Sequence, residues 1–399
     1  MLDQSVSCYY RITTNGTMRN YRSGLLGSRN RLVSAMTKVQ TGRQFTSYAE
    51  DPAAASEAWT VRRSVWRTQD QINNVQTLCG INQSAFTAVD AICDGTTENR
   101  GLNGYPDVLL QALNDPTGSG RKALGTEILA ECEALVSNMN AKYGDNYIFA
   151  GTDGLNVPFT WNGGTLLYRG IDVSAKQMEV KTLEDFPADD GSEGYDEEAY
   201  QAYLKEYAES DYGKLEKYSQ EKTYVDIGMG FKENENGEFI PDTGYNSALC
   251  GINFLGFGLD EDGDSNNIVT LMHEVGEILS RTDPNDGSFY DEKGNKIPFE
   301  QEGQCSDRQR LNVLTTKIIN KIYDVSEKHT ELTAQTDFLQ KTGTMLEERM
   351  DLMEERRMEI ENVDPAVAIS EMLWANYSYQ SALKIGNSIL SQSLLDYMT

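Results

Sequence analysis

The chain has 399 residues, 39% of them hydrophobic, and a formal net charge of −27. Such acidity argues against nucleic acid as a partner, because phosphate repels it, and the length predicts two or three folding units. No apolar run is long enough to insert into a membrane.

"MLDQSVSCYY" (1–10) lacks a basic region followed by an apolar stretch, so no cleaved signal peptide is expected. The charge is uneven. Residues 1–45 hold 7 bases and a single acid, Asp3, whereas residues 184–304 hold 30 acids and 8 bases, a net of −22. A basic arm therefore precedes an acidic, solvated middle.

The first helix is marked by Leu25, Leu32, Met36 and Val39, at spacings of 7, 4 and 3. It ends at Thr41–Gly42, where glycine suits a left-handed cap. A second helix begins at Asp51–Pro52, with Asp51 as N-cap and Pro52 at the first helical position, where its missing N–H costs nothing. Glu50 joins Asp51 in an acidic cluster suited to the positive end of that helix. Ala58, Val65, Ile72, Cys79, Phe86 and Cys93 then recur every seven residues, with Val61, Thr68, Val75, Asn82 and Val89 as companions: five heptads of a coiled-coil-like seam. Cys79 and Cys93 would lie roughly 21 Å apart on that helix, too far for a disulfide, so both read as buried free thiols.

A third helix follows "NDPTGSG" (114–120), with the stripe Leu124, Ile128, Cys132, Leu135 and Met139. The middle changes in kind. Residues 158–170, 231–240 and 289–299 each place a glycine turn between strand-like runs and read as hairpins. Tyr200, Tyr203 and Tyr207 share one helical face, read as amphipathic packing.

A long helix then carries Leu311, Ile318, Val325, Leu332, Leu339, Leu346, Met353 and Ile360 at a spacing of seven, until Asp364–Pro365 breaks it. The last helix bears Ile369, Leu373, Leu383, Leu390, Leu394 and Tyr397, interrupted by Asn376, Gln380 and Asn387, a seam that awaits partner chains. The fold class is therefore mainly α: a long coiled-coil-like bundle built from N- and C-terminal segments, enclosing an α+β, β-rich insert.

Signals of chemistry are weak. Six cysteines form no CxxC pair, and there are two histidines, so no metal or other cofactor is expected. "HEVGE" (273–277) lacks the second histidine of a zinc helix, with Glu277 in its place. "DEDGDSN" (260–266) has a calcium-loop composition. Glycine is fourth from Asp260 rather than sixth, and Leu271 stands where a glutamate is needed, so a solvated turn is favoured. His329 reads as a packed histidine. No P-loop, GxGxxG or GxSxG occurs, and no catalytic residue is expected. What stands out is two matched breaks, 42–52 and 364–365, flanked by terminal seams that suit a subunit packing head-to-tail into rings or tubes.

Four tracts, in order, resemble the flagellin superfamily, most closely its hook-associated protein 3 group: "RITTN" (11–15), "QTGRQFTSYAEDPAAASEA" (40–58), "AKYGDNYIFAGTDGLNVPF" (141–159) and "IENVDPAVAISEMLWANYSYQSALKIGNSILSQSLLDYM" (360–398). Glu50 stands where that group has an aspartate, and six cysteines exceed its habit. The resemblance implies a non-enzymatic, self-assembling subunit in a ring or helical layer. Residues 11–45 with 365–399 would form an inner tube and 46–157 with 305–364 a surrounding helical layer. Residues 158–304 would form a variable domain projecting outward, and residues 1–10 a disordered extension. It further implies export through the flagellar type III apparatus with its chaperone, without a cleaved signal. The implied location is extracellular, at the hook–filament junction, with hook-associated protein 1 and flagellin as partners. A minor flagellin, or an enzyme or adhesin carried in the insert, are the alternatives.

Overall fold

The structure, a computed structural model, describes residues 14–95, 100–114, 120–162, 164–186, 195–234, 237, 239–283, 285, 288–290, 296–297 and 306–398. The 1–10 extension and Arg11 to Thr13 lie outside these. The helices in chain order are α1 (Thr14–Thr41), α2 (Pro52–Cys93), α3 (Tyr105–Asn114), α4 (Arg121–Met139), α5 (Glu197–Glu209), α6 (Asp211–Ser219), α7 (Ile252–Leu255), α8 (Ile268–Ser280), α9 (Ser306–Glu361) and α10 (Pro365–Met398). The strands are β1 (Lys142–Tyr143), β2 (Asn146–Tyr147), β3 (Phe159–Asn162), β4 (Thr165–Tyr168), β5 (Ile171–Asp172), β6 (Tyr224–Val225), β7 (Tyr245–Asn246), β8 (Phe289–Tyr290) and β9 (Lys296–Ile297). They pair antiparallel as β1–β2, β3–β4–β5, β6–β7 and β8–β9. The protein is mainly α, with long terminal helices that pack on each other and a small β insert.

The chain divides into two compact units. One holds the residues up to Asp70 and from Glu347 onward; the other holds Gln71–Leu346. Each of α2 and α9 contributes a stretch to both.

In the first unit α1 packs on α10. The sheltered side of α1 carries Met18, Tyr21, Leu25, Ser28, Leu32, Ala35 and Val39, alternating steps of three and four, which is the period of a helix seam. The opposing face of α10 carries Ala368, Met372, Ala375, Tyr379, Ala382 and Gly386 in the same rhythm. Below them α2 and α9 run antiparallel: Arg62 meets Glu361, and the Thr68 hydroxyl lies 4.0 Å from the Met353 sulfur. Asp51 starts α2. Its carboxylate accepts hydrogen bonds from the Ala53 and Ala54 amides at 3.1 and 3.0 Å, taking up two of the orphan donors of a helix N-terminus. Asp51→Ala is expected to lower the stability of the first unit by about 1 kcal/mol, read by thermal melting of the full chain; an unchanged melt would remove this role.

In the second unit the core centres on α4 crossing α8. Leu124, Ile128, Cys132, Leu135 and Met139 face Ile268, Met272, Val275 and Leu279, all buried. The crossing is close because glycines meet there. A Cβ on Gly125 would stand 2.5 Å from the Ser280 amide nitrogen and 2.8 Å from the Gly276 carbonyl oxygen. The β3–β4 hairpin lays Phe159, Leu166 and Tyr168 on this core. α2 adds Ala85, Val89 and Ile92, and α9 adds Leu311, Ile318, Val325 and Leu332.

Three expectations change. The helix α3 is absent from the sequence reading, although Tyr105, Leu109 and Leu113 give it a buried stripe; three contacts over ten residues are too few to separate from a loop. Among the described residues of 231–240 the pairing is one antiparallel bridge, Glu233 with Phe239, rather than full strands, and the Ile240 amide donates to the Lys232 carbonyl at 3.0 Å; Phe239 joins a ring cluster with Phe231 and Tyr224 at centroid distances of 4.3 and 4.8 Å. Cys79 is half-buried rather than buried, whereas Cys93, Cys132 and Cys250 are buried free thiols; burial pushes Cys93 and Cys250 up to about 11.

Candidate functional site

The two breaks meet. Gly42 follows α1 with φ +67, the left-handed conformation that glycine adopts without strain. Its carbonyl accepts from the Val363 amide at 3.0 Å, and the Gln44 amide donates to the Glu361 carbonyl at 2.7 Å. Arg43 and Asn362 thus form an antiparallel bridge. Asp364 caps α10 by accepting from the Ala366 amide at 2.7 Å, and Pro365 takes the first helical position. Gly42, Asp51, Pro52, Asp364 and Pro365 therefore sit at the ends of helices around one short two-stranded stitch.

Glu50 acts differently from its expected part in a helix-start cluster. Its carboxylate turns back to accept from the Thr46 amide at 2.7 Å and the Thr46 hydroxyl at 3.3 Å, which closes the loop. Behind the stitch, Arg62 holds Glu361 through two parallel bonds of 2.5 and 2.6 Å. The Arg62 hydrogen bonds, opposed by burial, keep the Glu361 carboxyl below the usual carboxylate range.

Leu25, Leu32 and Val39 lie half-buried in the α1–α10 seam. Met36 does not. It is exposed, and the neighbouring Ala35 takes the buried position. Ile369, Leu373 and Leu383 are likewise exposed, on the outer face of α10. The reason is steric. On the α10 side Ala368, Ala375, Ala382 and Gly386 alternate with Met372 and Tyr379 in the seam, and the Tyr21 ring lies over Gly386. Leu390 and Leu394 belong to α10, but their side chains fall outside the described residues. Lys38 bridges to Glu371 at 3.3 Å, tying the basic arm to the last helix. Small residues repeating at seven, Ala368–Ala375–Ala382, are the sequence signal for this face.

The other chemical candidates resolve into structure. Asp260, Asp262 and Asp264 converge on one point, and the Lys317 ammonium occupies it. It donates to Asp260 at 2.6 Å, to Asp262 at 3.0 Å and to Asp264. Arg310 adds a second cation on Asp264 at 2.5 Å while also holding Glu274 at 2.7 Å. Burial is the largest single influence and opposes ionisation of Asp260 and Asp264, but the hydrogen bonds and charge of Lys317, joined by backbone amides at Asp260 and by Arg310 at Asp264, together outweigh it and hold both below the usual range. The turn is solvated on the Asp262 side and anchored on the Asp264 side. Lys317 is invisible in the sequence pattern because it lies more than fifty residues away on α9.

His273 of "HEVGE" lies against Trp161 with ring centroids 5.1 Å apart, and Glu277 stands one turn further along α8. His329 stacks on Phe86 at 4.6 Å. Among the described residues neither histidine joins a group of side chains able to hold a metal.

The "FAGT" tract is explained by Glu221. Its carboxylate accepts from the Thr152 amide at 2.9 Å, the Thr152 hydroxyl at 2.7 Å and Arg169 at 2.9 Å. Gly151 has φ +68, and a Cβ there would stand 2.6 Å from Glu221 Oε2.

No protein-family model and no curated protein matches the chain. Solved structures similar to it include three with flagellar descriptions. One, described as a putative flagellar hook-associated protein from Vibrio parahaemolyticus, is 13% identical, with 78% of this chain and 100% of that chain covered at a TM-score of 0.47. FlgL from Bacillus cereus is 13% identical, covering 75% and 99%, at 0.39. FlgL from Xanthomonas campestris is 12% identical, covering 74% and 97%, at 0.41. The functional reading rests on this chain's own residues.

Proposed function

We propose that the chain is a non-enzymatic structural subunit of a bacterial flagellum, placed at the junction between hook and filament. One observation carries this. The first and last helices pack on each other, with small residues alternating with larger ones on the α10 side, and turn large apolar side chains outward: Leu26, Val33 and Met36 from α1, and Ile369, Leu373, Trp374, Tyr377, Leu383 and Ile385 from α10. A helix pair with an unburied apolar face on both members is suited to bury it against further copies. The four tracts that resemble the hook-associated protein 3 group support the same reading. Two of them span the stitched breaks and a third supplies the Gly151–Thr152 clasp on Glu221.

In this reading residues 11–45 with 365–399 form an inner tube, and 46–157 with 305–364 the helical layer around it. Residues 158–304 form the outward domain, where acidic surface stays in water. The subunit leaves the cell unfolded through the flagellar type III apparatus with its chaperone. It then sits between hook-associated protein 1 and flagellin. Among the described residues no helix is long and apolar enough to cross a membrane.

Deleting residues 365–399 tests the reading in the source bacterium. Cells are expected to complete hooks, fail to retain filament and release flagellin into the medium. A normal, retained filament would overturn it.

A further inference from the structure

In the second unit the β1–β2 hairpin and α2 border a cleft of about 620 Å³, within the range of about 300–1,000 Å³ found for small-molecule sites. The hairpin turns at Gly144–Asp145, with Gly144 at φ +61. Tyr143 lies on α2 at Gly80, where a Cβ would collide with its hydroxyl oxygen. Thr77 and Ile81, one turn apart on α2, line the same cleft. So do the 151–155 loop and, from the insert, Thr223, Ser247 and Ala248. Most of the lining belongs to the 141–159 tract, of which the Thr152–Glu221 clasp explains only one end.

The lining selects against most ligand classes. No lysine or arginine lines the cleft, so an anion would meet Asp145 and a net charge of −27 unaided. Lys142, held over the Tyr147 ring at 4.3 Å, stands beside the hairpin and opposes a cation. Glu221, behind Thr152, is neutralised by Arg169. There is also no edge for a peptide strand. The amides of Tyr147, Ile148, Gly151, Thr223, Ser247 and Ala248 already donate within the fold, and strand addition needs such groups free. What stays open is side-chain chemistry. Among the described residues no hydrogen bond takes up the Tyr143 and Tyr147 hydroxyls, the Asp145 carboxylate, the Asn146 amide group or the Thr223 hydroxyl. Tyrosine presents an apolar ring together with its hydroxyl, and Tyr143 is 39% exposed. The complement of such a surface is uncharged, apolar on its ring faces and hydroxylated around its rim.

We propose that this cleft binds a neutral oligosaccharide. The Tyr143 ring gives a sugar ring its apolar platform, the Asp145 carboxylate accepts from sugar hydroxyls, and Asn146 and Thr223 both donate and accept. The backbone around the cleft is already fixed by its own hydrogen bonds, so little ordering is lost on binding. The site goes beyond the assembly reading and does not rest on it. It lies in the second unit, whereas the apolar faces that carry that reading belong to the first.

The test titrates purified full-length protein with maltohexaose, cellohexaose and N-acetylchitohexaose, read by saturation-transfer nuclear magnetic resonance and by calorimetry. An oligogalacturonate serves as the anionic comparator and hexaglycine as the peptide comparator. At least one neutral sugar is expected to bind, and neither comparator. Asp145→Ala is expected to weaken that binding about tenfold, the effect of losing one hydrogen bond to a charged group. Thr223→Val is expected to weaken it several-fold. Both positions are exposed, so far-ultraviolet circular dichroism should be unchanged. Binding that both variants leave untouched would overturn the proposal. So would binding of only the oligogalacturonate or hexaglycine, or of none of the probes. None of these outcomes alters the filament test above, so the two readings fail separately.

Discussion

Gly125→Leu is expected to unfold the second unit at temperatures where the wild type is intact. α4 and α8 cross backbone to backbone at this point, and the substituted Cβ would stand 2.5 Å from the Ser280 amide nitrogen and 2.8 Å from the Leu279 carbonyl carbon. A side chain in the way could rotate aside, but a helix backbone must shift as a whole. That shift would separate Ile128 and Cys132 from Val275 and Leu279, residues at the centre of the core. Overpacking of this kind costs about 3 kcal/mol. Differential scanning calorimetry of the full chain reads it as loss of one transition or its displacement to lower temperature. Gly276→Ala should act in the same direction but less strongly, because its new Cβ meets the Leu129 side chain at 2.9 Å, which can move. Equal melting of Gly125→Leu and wild type would disprove the close crossing.

Lys317→Met is expected to destabilise the second unit by about 3 kcal/mol at neutral pH, since it removes the shared cation from three converging carboxylates. Asp264 is 5% exposed at its side chain, so water cannot replace the ammonium there. The pH dependence carries the distinguishing sign. Asp260 and Asp264 are held below their ordinary values, so their contribution is complete above about pH 4 and is lost as pH falls through their depressed values. Lys317 is held above its ordinary value, so its contribution is complete below about pH 10 and is lost only beyond it. In the variant, protonating one aspartate relieves repulsion instead. The deficit should therefore be largest near neutrality and shrink as pH falls towards 4. A deficit that is constant over this range would show that Lys317 acts through packing of its stem alone.

The long heptads were legible because they are written in large side chains. Val65, Ile72, Val75 and Val89 on α2, and Leu311 to Leu346 on α9, mark the buried stripe at spacings that admit one reading. The α10 face was not legible for the opposite reason. Hydropathy selects Ile369, Leu373 and Leu383, but close approach selects Ala368, Ala375, Ala382 and Gly386, and a small residue carries little hydropathic weight. Asp51 was readable as a cap because an N-cap acts on amides two or three residues away, whereas Asp364–Pro365 was readable only as a break. The stitch between their loops joins positions more than three hundred residues apart and leaves no local trace. The Asp260–Lys317 cluster failed for the same reason. The acidic loop was visible, and its cation was not.

The discontinuity of the first unit sets an order of events for a chain that emerges amino end first. The Lys38–Glu371 pair closes over a separation of 333 residues, so α1 lacks its α10 partner while all the residues between them are made. The second unit draws only on Gln71–Leu346 and can condense earlier. Joining two distant ends carries the entropic penalty of a long loop, which grows only slowly with length. Most of that penalty is already met once the intervening segment has folded and brought the ends of α2 and α9 side by side. The terminal helices are therefore the last part to fold and the first to come undone, a zip whose slider travels from Arg62–Glu361 towards the chain ends.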